Sequence, residues 1–417
     1  MNPFELTVKP IEENFMDMKK MYPKAYNKTK TSPYTKTRII LLNGAEFEST
    51  WFMHQFARNC DNDEIKRELA VIRAEEQMQQ KRLSCLKPLN ESILETTIAY
   101  EQLAIDLTAT LAQNEKDENN RKALNFALLE DFDHLYRFAN LFALDKKDDA
   151  AKLVGKFTEI TPGRPTIAHH RYPKDNIKKH MNAKKADLYS KLVASIITAA
   201  EQQTMNYYMN IAQWYKNDLG RKLYAEIAMV EEEHVSQYES LKDPTCTWLE
   251  QWVLHEYCEC YLYYSAMQEE KDEYIKSIFE DHFYMEVSHL QRATALLEKH
   301  ENGNYKKVLG CDGEFPTLLK LGTNKEYVRD VLERTITLTG NRQDYIDVYN
   351  LPNDADFFNY QSLLIPTEND VPSHLVIEKA IEKLGKDYRY EDKKNPVKEL
   401  QDRKKDNVTT GRTNKQK

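Results

Sequence analysis

A tandem duplication dominates this sequence. Moved along itself so that Tyr34 falls on Tyr189, the chain also puts Lys36 on Lys191, Ala45-Glu46 on Ala200-Glu201, Asn62-Asp63 on Asn217-Asp218 and His134-Leu135 on His289-Leu290, without a gap. The run EKDE at 115–118 returns at 270–273. A repeat of this length implies a repeated substructure, because both copies carry the same local preferences. Each copy is itself twofold. Glu201, Glu231 and His234 recur at one constant offset as Glu256, Glu286 and His289. The equivalent positions of the first copy are Glu46, Glu76 and Gln79, then Glu101, Asp131 and His134. A Glu-x-x-His pair lies on one face of a helix.

The segments carrying these residues show helical periodicity between brief polar breaks, and glycine is scarce, with 11 residues in 417. Both features predict an all-α protein. The acidic residues sit inside the apolar stripes. Ile227 and Ala228 precede Glu231 and Val235 follows it; Phe283 and Leu290 flank Glu286; Trp252 and Val253 precede Glu256; Ile197 and Met205 flank Glu201. A stripe of this kind faces the core. A buried carboxylate without a partner costs several kcal/mol, and a group of four would also repel itself. Bound cations remove both penalties, so a metal site is the expectation. Glu232 and Glu233 fall off the stripe and are expected in solvent. His255 and His282 read as hydrogen-bonded packing residues, and Cys258 and Cys260 as core filling. Tyr208, Tyr238 and Tyr263 follow the ligand-type residues by one or two turns. Aromatic packing is the favoured reading for them over a bond to the ligands.

The pattern resembles the ferritin-like di-metal carboxylate superfamily, in which two helices each give a Glu and two give Glu-x-x-His. The resemblance covers roughly residues 36–145 and 186–300. An additional Glu259, in Glu256-x-x-Glu259, is similar to the extra glutamate of rubrerythrins. The resemblance implies that the Glu of each Glu-x-x-His bridges two metals, that His234 and His289 each bind one, and that Glu201 and Glu256 are terminal ligands. It implies two iron ions per site, with manganese as the alternative, since carboxylates with two imidazoles suit either. Glu259 and Tyr263 are the candidate catalytic residues. The first copy departs from the pattern. Gln79 is neutral and Asp131 is one methylene shorter than Glu, so Glu46, Glu76, Gln79, Glu101, Asp131 and His134 form a weaker ligand set on their own.

The expected organisation is an arm over 1–35, a first ferritin-like unit over 36–145, a linker over 146–185, a second unit over 186–300 and an extension over 301–417. Only a few residues near 241–246 join the second and third ligand helices of the second copy, whereas crossing a ~30 Å bundle takes about ten extended residues. Either these helices are antiparallel neighbours, or the hairpins exchange partners. Exchange would join Glu201, Glu231 and His234 to Glu101, Asp131 and His134, and Glu256, Glu259, Glu286 and His289 to Glu46, Glu76 and Gln79. It could also occur between chains, as a homodimer. In the extension, NKEYVRDVLERTITLTG and VIEKAIEKLGK read as helices and NRQDYIDVYNLPNDADFF as loop, with the last thirty or so residues mobile.

A net charge of -8 gives no reason to expect nucleic acid or an anionic membrane as partner. No apolar run reaches the ~18 residues of a membrane helix, and the first residues lack a signal-like apolar stretch. Six cysteines in a chain this long, with no C-x-x-C, suit a reducing cytoplasm. Three functions are compatible with the residues. The leading one is a di-iron oxidoreductase that reduces hydrogen peroxide or acts on dioxygen with an external electron donor protein. The others are a dimanganese catalase, which needs no donor, and a metal-binding structural protein without turnover.

Overall fold

The computed structural model describes residues 1–146, 148–367 and 371–405. Eight long helices in four antiparallel hairpins make the body. They are α2 (Pro33–Arg58) with α3 (Asp63–Ser84), α4 (Ile93–Asn114) with α5 (Glu118–Lys146), α7 (Leu188–Trp214) with α8 (Asp218–Glu239), and α9 (Trp248–Glu269) with α10 (Glu273–Glu301). A short turn α1 (Met18–Met21) lies in the arm and α6 (Ala150–Leu153) in the linker. The all-α expectation holds for the body.

The duplication is visible in how the helices start. Asn62 and its counterpart Asn217 accept backbone N–H bonds at the heads of α3 and α8. Ser92 with Glu95, and Thr247 with Glu250, form capping boxes on α4 and α9. In each box the hydroxyl accepts from the fourth residue's N–H and the Glu accepts from the cap's own N–H, so two otherwise orphaned donors are satisfied.

Only residues 85–92 connect α3 to α4, and only 240–247 connect α8 to α9. These links turn the chain from one group of helices to the other. In one core, Leu42, Met53, Leu69 and Ile72 of α2 and α3 join Trp252, Tyr257, Phe279 and Phe283 of α9 and α10. In the other, Ile98, Leu128 and Phe132 of α4 and α5 join Tyr208, Leu223 and Ile227 of α7 and α8. The ligand-type residues divide in the same way, one hairpin from each copy around each group, while the first core also takes in Leu107, Leu124 and Ile197 of α4, α5 and α7. Contact of α2 with α7 binds the two groups together.

The linker is not a slack connection. At Gly163 an added Cβ would lie 2.5 Å from the Leu129 carbonyl oxygen, so the linker backbone passes directly over α5. Asp133 of α5 accepts from the Thr166 N–H at 2.9 Å and its hydroxyl at 2.7 Å. The extension holds α11 (Tyr305–Leu309), α12 (Lys325–Thr335), α13 (Asp356–Leu364) and α14 (Pro372–Leu384). It departs from expectation in one place. The helix of NKEYVRDVLERTITLTG stops at Thr335, and Leu338–Asn341 (β1) pairs antiparallel with Asp344–Asp347 (β2), a segment read as loop. The β-branched run TITLT ends the helix, and pairing across the Arg342-Gln343 turn takes over. Residues 387–405, expected to be mobile, pack on the body: Leu400 is fully buried, and Ile160 bridges to Tyr390. Residues 406–417, the rest of that stretch, lie outside the described residues.

Candidate metal centre

Every ligand-type residue of the repeat points inward, and none is more than 1% exposed. They gather in two clusters. In cluster A, Glu76, Glu256, Glu286 and His289 bring ligand-type atoms within 4.8 Å of one another, as do Glu46, Glu76 and Glu259. In cluster B the same holds for Asp131, Glu201, Glu231 and His234, and for Glu101, His134 and Glu231. Each cluster thus offers two adjacent positions sharing one carboxylate, Glu76 in A and Glu231 in B. Gln79 also reaches cluster A, where its amide donates to Glu286.

All three cluster histidines present Nδ1 inward and are anchored through Nε2. His289 Nδ1 lies 3.2 Å from both Glu76 and Glu286, while its Nε2 lies 3.0 Å from Glu75. His234 Nδ1 lies 3.1 Å from Glu231 and 3.3 Å from Asp131, while its Nε2 lies 2.8 Å from Glu130. His134 Nδ1 lies 3.1 Å from Glu231, and its Nε2 lies 3.2 Å from Nδ1 of His169. Burial holds His169 well below the usual imidazole range, so it is neutral. Its Nε2 lies 2.6 Å from the Arg164 carbonyl and must donate there, so its Nδ1 accepts from His134. His169 thus holds a proton on His134 Nε2 and leaves Nδ1 to face Glu231, as donor to it while the site is empty and with its lone pair free when a cation takes that proton's place. An imidazole held through its far nitrogen by a carboxylate, or by a neutral acceptor, is the usual support of a metal-binding histidine.

The anchors come from unequal sources. Glu75 and Glu130 are equivalent positions of the first copy, and the second copy has Val230 and Met285 there. The first copy thus supplies the carboxylates that hold the histidines of the second. In return, Tyr208 of the second copy donates to Glu101 at 2.6 Å and its counterpart Tyr263 donates to Glu46. Those two tyrosines, favoured as packing residues, bond directly to cluster carboxylates across the hairpin interface. Tyr238 matches the packing reading, since its hydroxyl has no hydrogen-bond partner. His282 supports Tyr263 at 3.0 Å.

Glu130 is held from outside the repeat. Arg164 and Arg171, both from the linker and both buried, approach it at 2.8 Å. Burial alone would raise its carboxyl, but Arg171, the bond to His234 and Arg164 hold it well below the usual range. Glu233, expected in solvent, is 7% exposed and accepts from the Arg171 N–H at 3.1 Å. The linker covers that side of α8, and the helical pattern could not reveal it. Glu232 is exposed as expected.

Cation binding is what the electrostatics lack. Both oxygens of Glu76, Asp131, Glu201 and Glu259 are buried with no hydrogen-bond partner, as is one oxygen each of Glu46, Glu101, Glu231 and Glu256. Without cations, protons hold the clusters together. Burial, then neighbouring carboxylates, pushes Glu46, Glu256 and Glu259 in A and Glu101 and Asp131 in B well above the usual range. Glu286 and Glu201 rise to about 7. Against burial, His134 and His234 hold Glu231 at about 2. The donor set fits divalent cations of the iron and manganese type: hard oxygens, at most one imidazole per position, and no thiolate. Comparison with known protein families, curated proteins and solved structures finds no match.

Proposed function

We propose that the protein is a two-centre di-metal carboxylate oxidoreductase of the ferritin-like kind, acting on hydrogen peroxide or dioxygen. The observation that carries this reading is the pair of buried clusters whose carboxylate oxygens lack partners while three imidazole Nδ1 atoms are aimed at them. Cluster A would hold its ions with Glu46, Glu76, Glu256, Glu259, Glu286 and His289. Cluster B would use Glu101, Asp131, Glu201, Glu231, His134 and His234. Iron or manganese, when bound, supplies the redox change and the open positions for a small oxidant.

The chain's own residues do the rest. The buried setting of both clusters suits a substrate as small as peroxide or dioxygen. Reducing one hydrogen peroxide to two waters consumes two electrons and two protons. Glu259, whose carboxyl is raised by burial and by Glu76, Glu286 and Glu256, can hold a proton beside Glu46 and Glu76. The Tyr263 hydroxyl, backed by His282, orients Glu46. The electrons must come from an external donor protein, because no rubredoxin-like cysteine set is present. Cytoplasmic residence is part of the proposal; no helix among the described residues is long and apolar enough to cross a membrane.

The test is metal analysis of protein purified without added metal, followed by peroxide consumption with and without reductant. Stoichiometric iron and consumption only with reductant support the reading. Oxygen release without reductant assigns a catalase instead. Stoichiometric metal without turnover leaves a metal-binding structural protein, and protein that stays empty when offered iron or manganese sinks the proposal.

A further inference from the structure

Between α2 and α9 a line of ionisable side chains runs from solvent to cluster A. At its outer end the half-exposed Lys242 lies 3.8 Å from Glu48. Glu48 Oε2 lies 3.1 Å from His255 Nδ1, and His255 Nε2 lies 3.3 Å from Glu259 Oε2. Glu259 belongs to the Glu46–Glu76–Glu259 position. His255 is 9% exposed and Glu259 is 1% exposed. The His255 Nε2 atom and both Glu259 oxygens have no hydrogen-bond partner, so the inner half of the line is built but unsatisfied. Phe52 stacks on the His255 ring at 5.3 Å and holds it between the two carboxylates.

The equivalent positions beside cluster B hold no such line. One repeat earlier, His255 corresponds to Ala200, and Glu259 to Thr204, whose hydroxyl is turned back to the Ala200 carbonyl at 2.9 Å. Glu48 corresponds to Leu103. The difference is therefore specific to one cluster of a duplicated pair, which makes the other an internal control.

We propose that Glu48, His255 and Glu259 form an uptake route that carries a divalent cation from solvent to the Glu46–Glu76–Glu259 position of cluster A. The inference rests on the reading of cluster A as a metal centre. A divalent cation loses its water only where protein ligands replace it step by step, since an ion stripped of water in a dry interior is strongly disfavoured. Carboxylate, imidazole and carboxylate in succession supply those steps, with no gap wider than 3.3 Å between side chains. Lys242 at the mouth opposes cation arrival, so its charge sets the rate from the other direction.

Cobalt(II) uptake followed by its visible absorption in a stopped-flow instrument tests the route on the full chain. A Glu231→Gln background silences cluster B, so the signal reports A; a Glu76→Gln background silences A, so it reports B. Glu48→Gln and His255→Gln should each slow the filling of A about tenfold or more without changing the final amount bound. Lys242→Gln should speed it about threefold, and the filling of B should not respond to any of the three. Filling of A at the unaltered rate in both Glu48→Gln and His255→Gln overturns the route. So does equal slowing of both clusters, or a loss of final cobalt with no change in rate, which would make these residues mere supports of Glu259. A parent protein that takes up no cobalt in either background overturns the metal-centre reading itself.

Discussion

Stripping cations from this protein and then raising the pH should weaken the fold. Glu201 and Glu286 each have a carboxyl raised from 4.5 to about 7, by burial first, with Glu231 beside the one and Glu76 beside the other. A carboxyl raised in the folded state keeps a proton that the unfolded chain has already released. Its stabilisation is full below about pH 4.5 and is lost as the pH climbs toward 7. At about 1.4 kcal/mol per pKa unit, each of the two loses about 3 kcal/mol across that window. His234 and His289 act in the same direction at higher pH. Burial opposes their charge, but facing carboxylates raise both well above 6.5, so their ion pairs stabilise below that value and fade as the pH passes the folded one. Glu231, held at about 2, contributes throughout this window and adds no slope. Urea unfolding in the presence of a chelator, at constant ionic strength from pH 5 to 8, should therefore show a falling midpoint. Adding manganese at about 100 times its Kd should reverse the trend, because cations replace the protons, and should add about 2.7 kcal/mol per occupied site. A chelated protein that grows more stable from pH 5 to 7, or one indifferent to manganese and iron, refutes the reasoning.

Three substitutions probe the supports of cluster B and the linker. His169→Leu removes the acceptor that fixes the His134 tautomer; cation affinity at B should fall about 10- to 100-fold in a calorimetric titration while A is unchanged. Arg171→Met leaves Glu130 buried with Arg164 as its sole remaining cation partner from the linker, and urea unfolding should show a loss of about 3–5 kcal/mol. Gly163→Ala forces a methyl against the Leu129 carbonyl oxygen and should lower stability by about 1–3 kcal/mol, read as a Tm drop of several degrees. An unchanged Tm would mean the linker can lift off α5 freely.

Much of the candidate site could be read before any coordinates. Helical periodicity is local, so an acidic residue inside an apolar stripe declares its direction from its neighbours at three and four residues. That is why Glu201, Glu231, Glu256 and Glu286 are buried as the stripe predicts. The anchors Glu75 and Glu130 were within reach too, since the offset that relates Glu76 to Asp131 also relates them, but the second copy has no counterpart to draw attention there. His169, Arg164 and Arg171 left no such signal. They lie in a linker without periodicity, and only its passage over α5 brings them to Glu130 and His134. Glu233 was misplaced for the same reason.

The chain alone determined that acid and imidazole would face inward on eight repeated helices, because that depends on spacing of a few residues. Which hairpin meets which was decided only in three dimensions. The short links at 85–92 and 240–247 turn the chain into the other group, so each cluster is completed by residues from both copies. Such pairing depends on contacts between residues roughly one hundred to two hundred positions apart, whose free energy belongs to the packed core and to no segment by itself.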